Sequence, residues 1–252
     1  MVMELLKMKV SYPFFCSIKS SSIQVIDLKD FSVSASLITP LLGTSAIKRL
    51  SLPTSYWKAS PDTSPLITNS SLQSISFNYT HFDRDELFQF LICNSSLKKL
   101  EMITCEVVFP SLFKSLETNT SLTELLIHNG NLGTRWSEAR LHAEGAQSLV
   151  EMLQKNTTLL VLDIDGSLFT PGEVKRTLKA LEQNGVLQIL RFFRLCALSC
   201  LSFVYEASFS LRINVDFDVS PHRIDIQNGV FCFKYVYLTR ITAEEIDIIV
   251  SF

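Results

Sequence analysis

Four histidines (His81, His128, His142, His222) and six cysteines (Cys16, Cys93, Cys105, Cys196, Cys200, Cys232) are the side chains of this chain best suited to hold a metal or attack a substrate. Neither set has the spacing that such chemistry needs. Zinc ligands come in short, regular intervals such as Cys-x-x-Cys, and no Cys-x-x-Cys or paired-histidine spacing occurs. Cys196 and Cys200 stand one helical turn apart, but inside the apolar run LCALSCLSFVY, where buried thiols are the commoner outcome. His128 follows a predicted strand and reads as a structural histidine. The sequence contains no Gly-rich phosphate loop, no His-Glu-x-x-His and no nucleophile elbow. The expectation is a chain that is not an enzyme and uses no metal or cofactor. What remains is recognition by charged, aromatic and aliphatic side chains, and the question becomes which elements present them.

The elements come from a repeat. Asn-Ser-Ser-Leu at Asn69 recurs at Asn94, as Asn-Thr-Ser-Leu at Asn119 and as Asn-Thr-Thr-Leu at Asn156, and recurrence at roughly 20–50 residues marks an array of stacked units. With the closing leucine as position 1, positions 1, 4 and 6 hold Leu72, Ile75, Phe77, then Leu97, Leu100, Met102, then Leu122, Leu125, Ile127, then Leu159, Leu162, Ile164. The frame extends, without the Asn signature, to Ile23, Ile26, Leu28, to Ile47, Leu50, Leu52 and to Leu187, Leu190, Phe192. Position 11 is apolar throughout: Val33, Trp57, Phe82, Val107, Leu132 and Phe169. Upstream of position 1, pairs four apart such as Leu112 and Leu116, or Leu149 and Leu153, fall on one face of a helix, whereas positions 4 and 6 alternate as in a strand.

Each unit is therefore a short strand, a turn and a returning helix. Alone it cannot fold. Six buried aliphatic side chains contribute about 1.5–3 kcal/mol each, against about 1–2 kcal/mol to order each of some 25 backbones. Stacking shares the interior and joins the strands into a parallel sheet. The repeated Asn is expected just past each helix, in left-handed backbone, bonding a loose carbonyl. The Asn-x-Ser/Thr triplets at Asn69, Asn78, Asn94, Asn119 and Asn156 read as by-products of this repeat before they read as glycan acceptors. Helices are predicted over 143–155, over 171–181 behind the capping box Thr170-Pro171-Gly172-Glu173, and over 83–93.

The segments LKKLEMITCEVV (97–108) and LHAEGAQSLVEMLQKNTTLLVLDI (141–164) resemble the ribonuclease-inhibitor-like class of leucine-rich repeat, as in NOD-like receptors and Ran GTPase-activating proteins. The resemblance implies an α/β leucine-rich repeat solenoid, a horseshoe of about seven repeats with a parallel concave sheet and convex short helices. The chain departs from that class in its short period of about 25 and at position 9, where Phe31, Ser55, Thr80, Gly130 and Ser167 replace the usual Asn or Cys and only Cys105 fits. Pro40, Pro61, Pro65 and Pro110 point to short helices or single turns on the convex side.

The division expected is an N-terminal segment or poor cap over 1–20, the array over 21–192, and a β-rich cap or irregular tail over 193–252. In that tail 211–219 alternates as a strand, 223–227 and 230–238 flank Asn228-Gly229 as a hairpin, and Thr242-Ala243-Glu244-Glu245 offers a short helix. A formal charge of -2 from 23 basic and 25 acidic side chains supplies no field for nucleic acid. No membrane span is expected, because the longest apolar run is too short. With no signal peptide apparent at the N-terminus and scattered cysteines read as reduced thiols, the expected location is cytoplasmic.

Binding falls to what projects at positions 2, 3 and 5: basic early, at Lys48, Arg49, Lys98 and Lys99, then mixed and apolar at Glu101, Glu124, Leu126, Leu160 and Asp163. Such a surface suits a protein or peptide ligand, against the plainer reading of a solvated sheet face. The insertion at 133–145 adds Arg135, Trp136 and Arg140, either an interface or a Trp packed on its own repeat. The primary expectation is a scaffold for protein–protein interaction, as in the ligand-binding array of a receptor or sensor. The family resemblance implies an alternative, a regulator of a small GTPase, with Arg135 or Arg140 reaching the nucleotide.

Overall fold

The computed structural model describes residues 2–4, 23–28, 47–52, 56–57, 70–79, 81–82, 94–105, 108–128, 143–165, 168–196, 213–217, 225–227 and 230–240. The strands are β1 (Val2–Glu4), β2 (Val25–Asp27), β3 (Arg49–Leu52), β4 (Tyr56–Trp57), β5 (Ser74–Asn78), β6 (His81–Phe82), β7 (Lys99–Ile103), β8 (Glu124–His128), β9 (Val161–Asp165), β10 (Ile189–Cys196), β11 (Ile213–Phe217), β12 (Asp225–Gln227) and β13 (Val230–Arg240). The helices are α1 (Phe109–Leu116), α2 (Ala143–Lys155) and α3 (Pro171–Leu181). One 11-stranded sheet runs β1-β2-β3-β5-β7-β8-β9-β10-β13-β11, with β12 beside β13.

From β1 to β10 every neighbouring pair in that sheet is parallel, and from β2 onward each strand comes from one repeat. The register follows the sequence frame. Position 4 forms one row, Ile26, Leu50, Ile75, Leu100, Leu125, Leu162 and Leu190, each the direct partner of the next. Position 6 forms a second, Leu52, Phe77, Met102, Ile127, Ile164 and Phe192. All of these are buried, in one core with Leu112, Phe113 and Leu116 of α1, Leu149, Met152 and Leu153 of α2, and Val174, Leu178 and Leu181 of α3. The position 11 residues Trp57 and Phe82 meet in a separate two-stranded parallel ladder, β4 with β6.

Helices form where the sequence supplies their ends. Thr170 caps α3 by accepting from the Glu173 backbone N–H, and Glu173 accepts from the Thr170 N–H at 2.7 Å, so two orphan donors are satisfied reciprocally. Pro110 sits in the first turn of α1, where its missing N–H costs nothing, and an eight-residue helix follows. The helix predicted over 83–93 lies outside the described residues.

The repeated asparagines do their work in a different conformation from the one expected. Among the described residues only Tyr79 and Thr104 outside glycine have positive φ, so Asn94, Asn119 and Asn156 are not left-handed. Instead each amide oxygen accepts the backbone N–H groups two and three residues on: Ser96 and Leu97, Ser121 and Leu122, Thr158 and Leu159. That side-chain turn starts the strand without left-handed backbone. The loose carbonyl expected as partner belongs to the previous coil: Asn156 Nδ2 donates to the Leu116 and Asn119 carbonyls at 2.6 and 3.3 Å. Asn184, which lacks the Ser/Thr signature, does the same, donating to Leu153 and accepting from Val186 and Leu187. The hydroxyls add a parallel ladder, Ser71 to Ile47, Ser96 to Leu72, Ser121 to Asn94 and Thr158 to Asn119 carbonyls. With relative exposures of 2, 5 and 4%, Asn94, Asn119 and Asn156 present no amide to a glycosyl carrier in the folded chain.

Beyond the frame, β10 continues from Phe192 to Cys196, and β13 pairs antiparallel with it from Ile189↔Thr239 to Cys196↔Cys232. Gln227↔Val230 closes the β12–β13 hairpin around Asn228-Gly229, and β11 lies along the far side of β13. At the other end, β1 pairs with β2 in the register Val2↔Val25; a three-residue strand without the repeat signature escaped the sequence reading. No helix of the described residues is long and apolar enough to cross a membrane.

The helices are tied by Glu117, which accepts from Lys155 at 2.9 Å and lies 3.3 Å from Lys114. Burial pushes the Glu117 carboxyl up, but hydrogen bonds from Lys155 and Lys114 and their charges outweigh it and hold it below the usual carboxylate range. The same bond holds Lys155 above the usual lysine value.

Two predictions follow from this packing. Asn156→Ala strands two strand-opening N–H groups and two carbonyls in the interior; urea unfolding is expected to report a loss of about 2–4 kcal/mol. Glu117→Gln is expected to cost under about 1 kcal/mol at neutral pH. Because the folded carboxyl is depressed, its contribution is complete above the unfolded value and disappears as pH falls through the folded one, so wild type and variant should converge in acid when their unfolding midpoints are compared across pH.

Candidate recognition face

Strand pleating sends positions 4 and 6 into the core and positions 3 and 5 to the opposite face. There the register lays down two more rows. Position 3 reads Val25, Arg49, Ser74, Lys99, Glu124, Val161, Ile189; position 5 reads Asp27, Ser51, Ser76, Glu101, Leu126, Asp163, Arg191. Position 2 lies beside them, and its carbonyls fix the spacing. Gln24 accepts from both the Lys48 and Arg49 N–H groups, Lys48 from Gln73 and Ser74, Gln73 from Lys98 and Lys99, Lys98 from Thr123 and Glu124, Thr123 from Leu160 and Val161.

The side chains of this face differ in exposure and in partners. Lys48, Arg49 and Lys98 are exposed. None of them makes an ion pair among the described residues. Lys99 and Glu124, direct register partners, are half-buried and 3.7 Å apart, a surface pair of small energetic weight. Glu101, Leu126 and Leu160 are half-buried, and Val161 and Ile189 join the last two in an apolar stretch over β8, β9 and β10. Arg135, Trp136 and Arg140 lie outside the described residues.

Asp163 is placed differently from the others. Its side chain is only 5% exposed, its Oδ1 is 2.9 Å from His128 Nε2 on β8, and its Oδ2 is 3.9 Å from Arg191 on β10. The carboxylate thus faces its own neighbours and links three successive strands. Sequence reasoning set His128 aside as isolated and stopped the face list at Asp163. Continuing positions 2, 3 and 5 into the last copy would have added Gln188, Ile189 and Arg191. The His128 link was less legible because its partner lies 35 residues away and two positions earlier in the frame.

Three serines, Ser51 on β3 and Ser74 and Ser76 on β5, adjoin one another on this face; Ser74 has Arg49 and Lys99 as register partners, and the Ser51–Ser76 pair has Asp27 and Glu101. Ser76 is buried at 5% exposure although it points away from the core, and its hydroxyl makes no hydrogen bond. Cys105, by contrast, is an interior residue whose thiol donates to the Phe77 carbonyl at 3.4 Å. Among the described residues no group of three His, Cys, Asp or Glu side chains is arranged to hold a metal ion.

No family model and no curated protein matches the chain. Among solved structures it is similar to an actin-binding site 2 structure of leiomodin-1, at 16% identity and a TM-score of 0.43, covering 69% of this chain and 86% of that one. It is similar as well to a tropomodulin C-terminal domain of Caenorhabditis elegans, at 15% identity and a TM-score of 0.41, covering 69% and 93%.

Asp163→Ala takes a hydrogen-bond partner from His128 and a neighbouring carboxylate from Arg191. With both partners partly solvated, a loss of about 1–3 kcal/mol is expected in urea unfolding. The double variant with His128→Ala should lose less than the sum of the singles, as a double-mutant cycle would read directly.

Proposed function

We propose that this chain is a leucine-rich-repeat scaffold that binds a protein or peptide ligand on the sheet face opposite its helices. The observation that supports it most is the in-register ladder itself. Seven repeats point their position 2, 3 and 5 side chains the same way, which makes a continuous surface with exposed cations over β3 and β7 and an apolar stretch over β8 to β10. Aliphatic groups beside unpaired charge fit a protein interface better than a solvated face. The strands in this reading line the inner wall of a solenoid, and the helices its outer wall. The interior is filled with Leu, Ile, Phe and Met, so binding rests on the wall and catalysis has no part in it. The GTPase-regulator alternative rests on the family resemblance, and the residues suggested for it, Arg135 or Arg140, lie outside the described residues.

Site-specific photocrosslinking tests the reading. A photoreactive residue at Leu160 or at Lys98 is expected to trap the same polypeptide, and one at the exposed Arg176 of α3 to trap none. Trapping should fall when Lys48, Arg49 and Lys98 are all reversed to Glu. Equal trapping from Arg176, or none from either face position, would refute it.

A further inference from the structure

Within that face, and resting on that reading, we propose that the β3–β5–β7 segment is an oxyanion-binding trough that receives an acidic side chain of the partner polypeptide, a carboxylate or a phosphoryl group. Its floor is hydroxylic. Ser74 and Ser76 lie on one face of β5, two residues apart, and Ser51 is the register partner of Ser76. Its position 3 row is flanked by cations, Arg49 being the register partner of Ser74 on one side and Lys99 on the other, while its position 5 row ends in carboxylates, Asp27 beside Ser51 and Glu101 beside Ser76. Lys48 and Lys98 bracket Gln73 at position 2, two strands apart, or about 10 Å at ordinary strand spacing. That width admits one chain between them.

Three observations converge on an anion. Over these three strands the position 2, 3 and 5 side chains carry four cations, Lys48, Arg49, Lys98 and Lys99, against one carboxylate, Glu101. Among the described residues Lys99 alone of the four has an ionic partner, so Lys48, Arg49 and Lys98 keep their charge for a ligand. The Ser76 hydroxyl is a buried donor with nothing to bond, a condition that a bound acceptor oxygen would relieve. Glu101 sits in register with Ser76 on the β7 side and opposes an anion there. It therefore provides a test of sign, since removing its charge should strengthen binding where removing any structural group would not.

The experiment is an amide NMR titration of the full chain with three capped peptides, Gly-Glu-Gly, Gly-phosphoSer-Gly and Gly-Ser-Gly. The expected result is movement of the Ser74, Ser76 and Lys98 amides with one or both acidic peptides and not with the serine peptide. Whether glutamate, phosphoserine or both act identifies the source of the oxyanion. The double variant Arg49→Ala with Lys98→Ala should weaken binding at least about tenfold and Ser76→Ala about tenfold, the weight of hydrogen bonds to charged groups. Glu101→Gln should tighten it about threefold, in the manner of a like charge removed. Ser76→Ala deletes an unbonded hydroxyl, so its unfolding midpoint should match or exceed that of the wild type, which separates lost binding from lost folding. Identical shifts with all three peptides, no shifts, or Glu101→Gln binding more weakly would overturn the trough. Crosslinking at Leu160 that succeeds while the acidic peptides fail would remove the trough alone; failure of both would remove the interaction face with it.

Discussion

The row Ile26, Leu50, Ile75, Leu100, Leu125, Leu162, Leu190 is the constraint on which the rest depends. Each member is buried at 4% exposure or less and is the direct backbone partner of the next. A slip of one residue in any strand would turn that strand's core residues outward and its face residues inward. Burying Lys99 and Glu101 in place of Leu100 and Met102 is prohibitive. The interior thus fixes not only that the strands stack but which atoms face out, and the composition of the outward face is a consequence of the hydrophobic register.

Stacking alone leaves polar groups stranded between coils, and the Asn and Ser/Thr positions answer that. A helix end carries carbonyls with no intrahelical partner, and the strand that follows begins with N–H groups that have none either. One asparagine serves both: Asn156 accepts from Thr158 and Leu159 in its own coil and donates to Leu116 and Asn119 in the one before. This is why the residue is Asn rather than Asp or Gly. A carboxylate has no N–H to donate, and glycine has no side chain to reach across. The Ser or Thr two residues later repeats the inter-coil bond with its hydroxyl. The glycan-acceptor triplet is thus what a buried hydrogen-bond ladder looks like in sequence.

The periodic features were legible because their cause is local to each copy. Positions 1, 4 and 6 disclosed strands, core and outward face, and the capping box at Thr170 disclosed the start of α3. What could not be read depends on neighbours that sequence separation hides. His128, Asp163 and Arg191 occupy three strands and are linked only once the coils are in register. Ser76 looks inert until its burial and empty hydroxyl are known. The left-handed conformation assigned to the asparagines fell instead to Tyr79 and Thr104, at position 8 of successive copies. These are poor types for that backbone, and the Tyr79 and Thr104 N–H groups are held there by the carbonyls of Ile103 and His128 in the next coil. Tertiary hydrogen bonds overrode local preference. The same position holds Asn129 and Gly166 in later copies, types that need no such holding.

The two halves of the face have different electrostatic economies, and the difference bears on how a ligand would be read. Over β8 to β10 charge is consumed internally: Asp163 is surrounded by His128 and Arg191, and Glu124 by Lys99 from the adjoining strand. What that half presents is aliphatic surface from Leu126, Leu160, Val161 and Ile189. Over β3 to β7 Lys48, Arg49 and Lys98 are left outward beside Ser51, Ser74 and Ser76, and in the trough proposed above a ligand's negative charge would set the selectivity. The outward rows can differ in this way along one sheet because neighbouring strands about 4.8 Å apart need share only their interior rows while the outward rows vary from repeat to repeat.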